Sequence, residues 1–190
     1  MFKKILLIAF IFISKDNCTQ LSYVIRHIQE IDTVQLQECY KAVATKSPNL
    51  AAHPDEITNE YISDLVTASM KGLGLVVEFD GKLIGYMLKQ KYPYRSCRHI
   101  LYGGSIGVHP DFQGHGIGTQ LISQFLHEVE THYKDILRVE IYALESNPAY
   151  RLYQRLGFET EGIIQKGKLY SDGRLESYYS MVWFNPNFDA

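Results

Sequence analysis

The stretch that decides the fold reads IGVHPDFQGHGIGTQL and occupies residues 106–121. It continues an apolar segment that predicts a strand over residues 99–108, and Pro110 ends that strand. Residues 116–133 then repeat apolar side chains at helical spacing, which predicts a long helix. The loop between strand and helix contains three glycines, Gly114, Gly116 and Gly118. Backbone N–H groups can approach an anion closely in such a loop, and the helix dipole adds positive potential, so a pyrophosphate fits there.

The loop matches neither of the two commonest phosphate-binding patterns. A Walker A loop would continue with Gly-Lys-Ser/Thr, and the dinucleotide-binding loop requires G-x-G-x-x-G. Glycines at the start of a helix can also serve tight packing alone. The loop by itself therefore leaves both a binding interpretation and a packing interpretation open.

The rest of the chain predicts strands and helices that alternate irregularly. Strands are predicted at 21–27, 75–79, 82–89, 137–144, 162–169 and 175–184, and further helices at 32–45, 55–70 and 148–156. The dipeptide Asp80-Gly81 predicts a tight hairpin turn. Runs of strands followed by strand–helix alternation favour an α/β fold with a mixed central sheet and helices on both faces.

Length and composition limit the class of protein. A chain of 190 residues with 46% hydrophobic residues accommodates one domain of ordinary size, here residues 21–190. The 21 acidic residues nearly balance the 19 basic ones, which argues against a general nucleic-acid-binding protein. The cysteines are Cys18, Cys39 and Cys97, and neither they nor the histidines have metal-site spacing. A disulfide framework and a metal site are therefore not expected.

The first 20 residues differ from the rest of the chain. Lys3 and Lys4 precede an apolar run over residues 5–13, as in a secretory signal, but no small-residue cleavage site follows. The run is too short for a membrane span of about 20 residues, so we expect no stable membrane association. Residues 1–20 are interpreted either as a working signal or anchor, or as a dispensable extension or misassigned start.

Two motifs resemble those of the GNAT acetyltransferase superfamily. Residues 106–121 resemble its motif A, with the Q-x-x-G-x-G core at Gln113, Gly116 and Gly118. Residues 147–158, NPAYRLYQRLGF, resemble its motif B, displaced by one residue between Asn147 and Ala149. The resemblance extends over about residues 22–184. It implies the GNAT fold, whose central strands splay apart, and acetyl-CoA as cosubstrate.

The resemblance also implies roles for individual residues. The main chain of Ile106, Gly107 and Val108 would hold the pantetheine arm and polarise the thioester carbonyl. The pyrophosphate would bind the loop formed by Gln113, Gly114, His115, Gly116, Ile117, Gly118 and Thr119. Asn147 would bond the pantetheine amide, or cap the short helix that Pro148 begins. Tyr153 matches the tyrosine that protonates the departing thiolate, or is a packed aromatic.

The proton acceptor and the acceptor pocket are less defined. Many relatives place a glutamate on the strand before the glycine loop, but residues 102–105 contain no carboxylate. Glu78, His99 and Glu140 are candidates for the base, and each can equally be structural or exposed. Aromatic walls for the acceptor are predicted at Tyr92, Tyr94, Tyr170, Tyr178 and Tyr179.

The function that the resemblance implies is N-acetyl transfer to a primary amine. A small-molecule amine or amino acid is favoured, since no additional substrate domain is present. The alternatives are a lysine or N-terminal protein acetyltransferase, and a non-catalytic module that senses acetyl-CoA. Because acetyl-CoA is made and used in the cytoplasm, a cytoplasmic location is expected, with export or anchoring as the alternative and a homodimer left open.

Overall fold

The computed structural model describes residues 10–13 and 21–189 and shows a mixed sheet of eight strands. The strands are β1 (Phe10–Ile13), β2 (Ser22–His27), β3 (Leu73–Phe79), β4 (Lys82–Lys91), β5 (Ile100–Val108), β6 (Arg138–Leu144), β7 (Glu159–Leu169) and β8 (Leu175–Phe184). The helices are α1 (Thr33–Lys46), α2 (Asn59–Lys71), α3 (Ile117–His132) and α4 (Ala149–Arg155). The order across the sheet is β1-β2-β3-β4-β5-β6-β8-β7, so the predicted mixed sheet is confirmed.

Helices cover both faces of the sheet, as predicted. Leu75 and Val77 of β3 join one core with α3 and α4, while Val76 between them joins a second core with α1 and α2. All three residues are fully buried. A strand buried on both faces has an unbroken apolar run instead of an alternating one, which explains the sequence of β3.

The parallel pair β5–β6 opens in the middle of the sheet. Within the described residues these two strands pair at two positions, Ile100↔Arg138 and Leu101↔Val139. Both strands continue well beyond this junction, β5 to Val108 and β6 to Leu144, without further pairing to each other. The divergence leaves a gap between two central strands, and the splayed strands implied by the resemblance are therefore present.

The second helix begins later than predicted. Pro54–Glu56 form a short 3-10 turn, and α2 starts at Asn59 instead of residue 55. The side chain of Thr58 accepts a hydrogen bond from the N–H of Tyr61 at 3.1 Å, which is the usual contact of a helix N-cap. The competing turn at Pro54 displaces the start of the helix to this cap.

The apolar N-terminal run falls mostly outside the described residues. Phe10–Ile13 are the part that is described, and they pair antiparallel with β2 at the end of the sheet. The interpretation of residues 1–20 as a signal, anchor or extension otherwise concerns residues that the structure does not describe. None of the helices in the described ranges combines the length and the apolar character needed to cross a membrane.

Candidate active site

The gap between β5 and β6 opens into a cavity of about 470 Å³. The end of β5, the glycine loop and α4 line it, together with residues from the end of α1 and the following loop. We call this the glycine-loop cavity. Its lining includes nearly all the predicted site residues: Ile106, Gly107, Val108, Gln113, Gly114, Gly116, Ile117, Gly118, Thr119, Asn147 and Tyr153. The structure therefore brings the two sequence motifs together at one site.

The glycine loop presents backbone N–H groups to this cavity. Gly116 has a φ of 74°, a left-handed conformation that residues with a side chain rarely adopt, and it is the N-cap of α3. The first bond of the helix runs from Gln120 N to the Gly116 carbonyl, at 3.1 Å. The N–H groups of the first helical turn therefore have no acceptor within the helix. Free N–H groups at a helix N-terminus form a site for an anion.

Side chains of the loop stabilise its backbone. Gln113 Nε2 donates to the carbonyl of Val108 at 2.9 Å, which joins the loop to the end of β5. His115 is exposed, and its Nδ1 lies 3.0 Å from the carbonyl of Gln113. Its ring therefore contacts the loop backbone, while the ring itself is absent from the lining of the cavity. Among residues 21–189, no acidic and no basic side chain lines this cavity, so its polar groups are backbone dipoles, side-chain amides and hydroxyls.

One edge of β5 faces the gap. Ile106, Gly107 and Val108 pair with Met87, Tyr86 and Gly85 on the β4 side. The other edge of β5, which faces β6, is not paired with that strand beyond Leu101. The N–H and C=O groups on this edge therefore point into the gap without a strand partner. Such groups can form main-chain hydrogen bonds with an extended ligand, as an added strand would.

Asn147 and Tyr153 form the opposite wall of the gap. The N-cap position of α4 is Pro148, and the Oδ1 atom of Asn147 accepts a hydrogen bond from the N–H of Ala149, the first residue of the helix, at 2.9 Å. The NH₂ group of Asn147 can donate to a ligand. Tyr153 lies on α4 and is 7% exposed. Burial raises the pKa of the Tyr153 phenol to about 12. The phenol is therefore protonated at neutral pH and can act as a proton donor.

A second, smaller cavity of about 190 Å³ adjoins the first. The two share Asn49, Leu50, Ile106, Asn147 and Tyr153 in their linings, so Tyr153 lies at the boundary between them. We call the second one the tyrosine cavity. Its lining contains five phenols, those of Tyr40, Tyr61, Tyr142, Tyr153 and Tyr178.

Four of the five predicted aromatic residues lie outside the tyrosine cavity, and Tyr178 is the one that lines it. Tyr92 stacks on Tyr102 with ring centroids 3.8 Å apart, and Tyr94 is exposed. Tyr170 donates a hydrogen bond to Glu176, and Tyr179 packs against Tyr150. These four rings therefore line neither cavity, since positions in loops and strand ends do not determine which side of a twisted sheet a ring faces. Tyr40 and Tyr61, which no motif indicated, come from α1 and α2.

None of the three predicted base candidates lines either cavity. Glu78 pairs with Arg26 at 2.8 Å on the strands β2 and β3. The carbonyl of His99 accepts hydrogen bonds at the junction of β5 and β6, and Glu140 pairs with Arg138 at 3.0 Å. Their locations therefore give no support to a proton-accepting role for these three side chains.

Lys89 is a further residue of the tyrosine cavity that no motif indicated. It lies opposite a bulge in β5, where the β4–β5 register shifts between Leu88 and Gln90. Gly104 makes this bulge with a φ of 67°, and a Cβ there would lie 1.8 Å from the carbonyl oxygen of Leu88. Only glycine fits this position, and the bulge leaves room for the Lys89 side chain to cross β5.

Within the described ranges, no group of three or more His, Cys, Asp or Glu side chains is arranged to hold a metal ion. The site therefore consists of a backbone anion loop, an open strand edge and two adjoining cavities.

Comparison with known proteins connects this site to a family. Residues 71–160 match the model of the acetyltransferase (GNAT) domain. An acetyltransferase of Pectobacterium atrosepticum is 32% identical over 97 residues, which cover 50% of this chain and 64% of that relative. The match thus spans less than two thirds of the relative's length.

Solved structures share the fold. The crystal structure of a GNAT-family acetyltransferase from Streptococcus pneumoniae superposes with a TM-score of 0.76 at 20% identity, covering 85% of this chain and 99% of the other. A putative acetyltransferase from Salmonella typhimurium, determined with its cofactor acetyl-CoA, gives a TM-score of 0.75 at 21% identity over 88% of this chain and 96% of the other.

Proposed function

We propose that this chain, whose residues 71–160 match the GNAT acetyltransferase domain, transfers the acetyl group of acetyl-CoA to a primary amine. The observation that carries the proposal is the divergence of β5 from β6 directly beside the glycine loop. An open strand edge, the N-terminus of α3 and a protonated phenol surround this one cavity, which supports the proposal. An extended thioester with a diphosphate at one end matches that combination of groups.

The residues present fit acetyl-CoA. N–H groups of residues 114–119 would hold the diphosphate, because a helix N-terminus binds anions without a basic side chain. The open edge of β5 at residues 106–108 and the free NH₂ of Asn147 would bond the amides of the pantetheine arm. Bound acetyl-CoA supplies an acetyl thioester, and the chain's own groups orient it and move the protons.

The chemical steps are assigned to two groups that line the gap. N–H groups of β5 near Ile106 and Val108 would polarise the thioester carbonyl and stabilise the oxyanion that forms on amine attack. Tyr153 would donate its proton to the leaving sulfur and receive the proton that leaves the new amide nitrogen. A phenol suits this exchange because its pKa exceeds that of a thiol.

We infer that the acceptor is a small amine and that it binds in the tyrosine cavity. The cavity measures about 190 Å³, and Asn49 and Leu50 cover it from the loop after α1. Lys168 Nζ of β7 donates to the carbonyl of Leu50 at 2.7 Å and stabilises that loop in place. A peptide acceptor would have to displace the loop. Among residues 21–189, no carboxylate lines this cavity, which favours an acceptor with one amine over a polyamine.

An acceptor panel tests the proposal. The protein is mixed with acetyl-CoA and with free amino acids, spermidine, a peptide with N-terminal alanine, or an N-blocked peptide containing lysine, and released thiol is measured. We expect thiol release above the blank with a free amino acid and much less with either peptide. Release with a peptide alone would assign the chain to the protein acetyltransferases. Acetyl-CoA binding without thiol release from any amine would instead support a sensor module.

A further inference from the structure

Lys89 reaches the point where β5 and β6 separate. Its Nζ donates to the carbonyl of Gly103 on β5 at 2.8 Å and to that of Glu140 on β6 at 2.6 Å. The last backbone pair between these strands is Leu101↔Val139, so the amino group bridges them where the ladder ends. The residue is 3% exposed and lines the tyrosine cavity. A lysine with a buried amino group thus lines the space proposed for the acceptor.

The two carbonyl contacts suit the neutral form of this amino group. A lysine ammonium has three N–H donors, whereas the neutral amine has two donors and one lone pair. Donation to Gly103 and Glu140 uses both donors of the neutral form and leaves its lone pair for another partner. Burial lowers the pKa of the Lys89 ammonium to about 7. The charge of the Glu140 carboxylate raises this pKa, but its effect is smaller than that of burial. Both protonation states are therefore accessible near neutral pH.

The other titratable groups around Lys89 are poorly suited to accept a proton near neutral pH. Five phenols share the cavity lining, from α1, α2, β6, α4 and β8, and phenols ordinarily lose their proton near pH 10. The Glu140 side chain is paired with Arg138 and lies outside the lining. Within residues 21–189, Lys89 is thus the titratable group of this cavity whose proton exchanges in the neutral range.

We propose that Lys89 accepts the proton that the acceptor's ammonium group loses before it attacks the thioester, an inference that rests on the acetyl transfer proposed above. The proton passes from the substrate ammonium to Nζ, and the free amine then forms the C–N bond while the C–S bond breaks. Tyr153 gives its proton to sulfur and takes the second proton from nitrogen. The proton on Lys89 leaves to solvent, so ammonium and thioester yield amide, thiol and one proton.

Four proteins test this assignment: the wild type, Lys89→Met, Lys89→Arg and the control Lys91→Met. Lys91 lies on the same strand, but its Nζ pairs with Asp135 at 2.8 Å and it lines neither cavity. The arginine variant keeps hydrogen-bond donors for both carbonyls, but its guanidinium cannot accept a proton. For each protein, kcat/KM is measured against pH at saturating acetyl-CoA, with the fastest amine of the panel.

The wild-type profile is expected to rise with pH and to level off above about pH 8, as a base with a pKa near 7 predicts. The Met and Arg variants should lose about 10²- to 10⁴-fold at pH 7. In these variants kcat/KM should keep rising about tenfold per pH unit up to the acceptor's own pKa near 10. Without a base in the protein, only acceptor that is already deprotonated in solution can react. Acetyl-CoA affinity should stay unchanged in both variants, and Lys91→Met should match the wild type.

Several outcomes would overturn the assignment. A constant reduction at every pH in both variants would show that Lys89 only bridges the two strands. A wild-type profile that rises to pH 9 without levelling off would exclude a base with a pKa near 7, even if the methionine variant does not fold. Absence of thiol release from the wild type with every amine would overturn acetyl transfer itself, whereas an active wild type with unaffected variants would overturn the role of Lys89 alone.

Discussion

The two cavities of the gap are built in different ways. The glycine-loop cavity is lined mainly by two short segments, residues 106–119 and 147–153, with smaller contributions from α1, the loop after it and α3. The tyrosine cavity is lined by residues of seven elements, α1, α2, α4, β4, β5, β6 and β8, and of the loop after α1. Backbone geometry follows from local sequence, whereas the meeting of distant side chains follows from packing of the whole sheet. A motif can therefore identify the side of this site proposed for acetyl-CoA, and it says little about the side proposed for the acceptor.

A loss of activity as large as that of the Lys89 variants is expected where the two cavities meet. Tyr153→Phe removes the phenol hydroxyl but keeps the ring. The centroid of this ring lies 6.0 Å from that of Phe158. Turnover should fall by about 10²- to 10⁴-fold, the usual value of a general acid, with little change in the acetyl-CoA dissociation constant. Steady-state kinetics and equilibrium binding measure the two quantities.

The matched control for this variant is Tyr150→Phe on the same helix. The Tyr150 hydroxyl bonds Thr160 and Gln154 and lines neither cavity. Its loss should leave turnover unchanged. Near-normal turnover in Tyr153→Phe would assign that residue to packing, and the boundary between the cavities would then lack a proton donor.

A smaller effect, confined to the glycine-loop cavity, is expected from Gly116→Asp. The new carboxylate would lie at the N–H groups that would hold the diphosphate, and like charges repel there. Acetyl-CoA should bind at least about tenfold more weakly, which corresponds to the loss of 1.4 kcal/mol or more. Isothermal titration calorimetry measures the change.

Gly173→Asp controls for backbone strain in this experiment. Gly173 has a φ of 82° and Gly116 one of 74°, and an added Cβ meets no atom within 4 Å at either glycine. The same strain is thus introduced in the β7–β8 turn, away from the gap. Equal losses of acetyl-CoA affinity in both variants would mean that strain, not charge at the loop, causes the effect.

The parts of the fold that local sequence determines were predictable. The strand, glycine loop and helix of residues 99–133 are present within one residue of their predicted ends. Asp80 and Gly81 both have positive φ angles at the predicted hairpin turn. Asn147 and Tyr153 lie in the gap because motif B is one continuous segment. Threonine is a common N-cap residue, so Thr58 also indicates a helix start in the sequence. The predicted start at residue 55 did not take it into account.

The acceptor side could not be predicted in the same way. Lys89 and the carbonyl of Glu140 are 51 positions apart, and they meet only because β5 bulges at Gly104 and separates from β6. A single lysine in an apolar strand does not indicate, from the sequence, which distant carbonyl its amino group will contact. The short strand Phe10–Ile13 illustrates a different limit, since a short apolar run is compatible with a strand and with a signal segment alike.

The most direct test of this division of the gap is a crystal structure of the protein with acetyl-CoA. We predict diphosphate oxygens within hydrogen-bonding distance of the N–H groups of residues 114–119, and the acetyl group between β5 and Tyr153. The tyrosine cavity should remain free for the acceptor. Another cavity, of about 730 Å³, lies between α1 and the β3–β4 turn and is lined by Gln35, Lys82 and His109. Acetyl-CoA bound there, with the gap between β5 and β6 unaltered, would contradict the account.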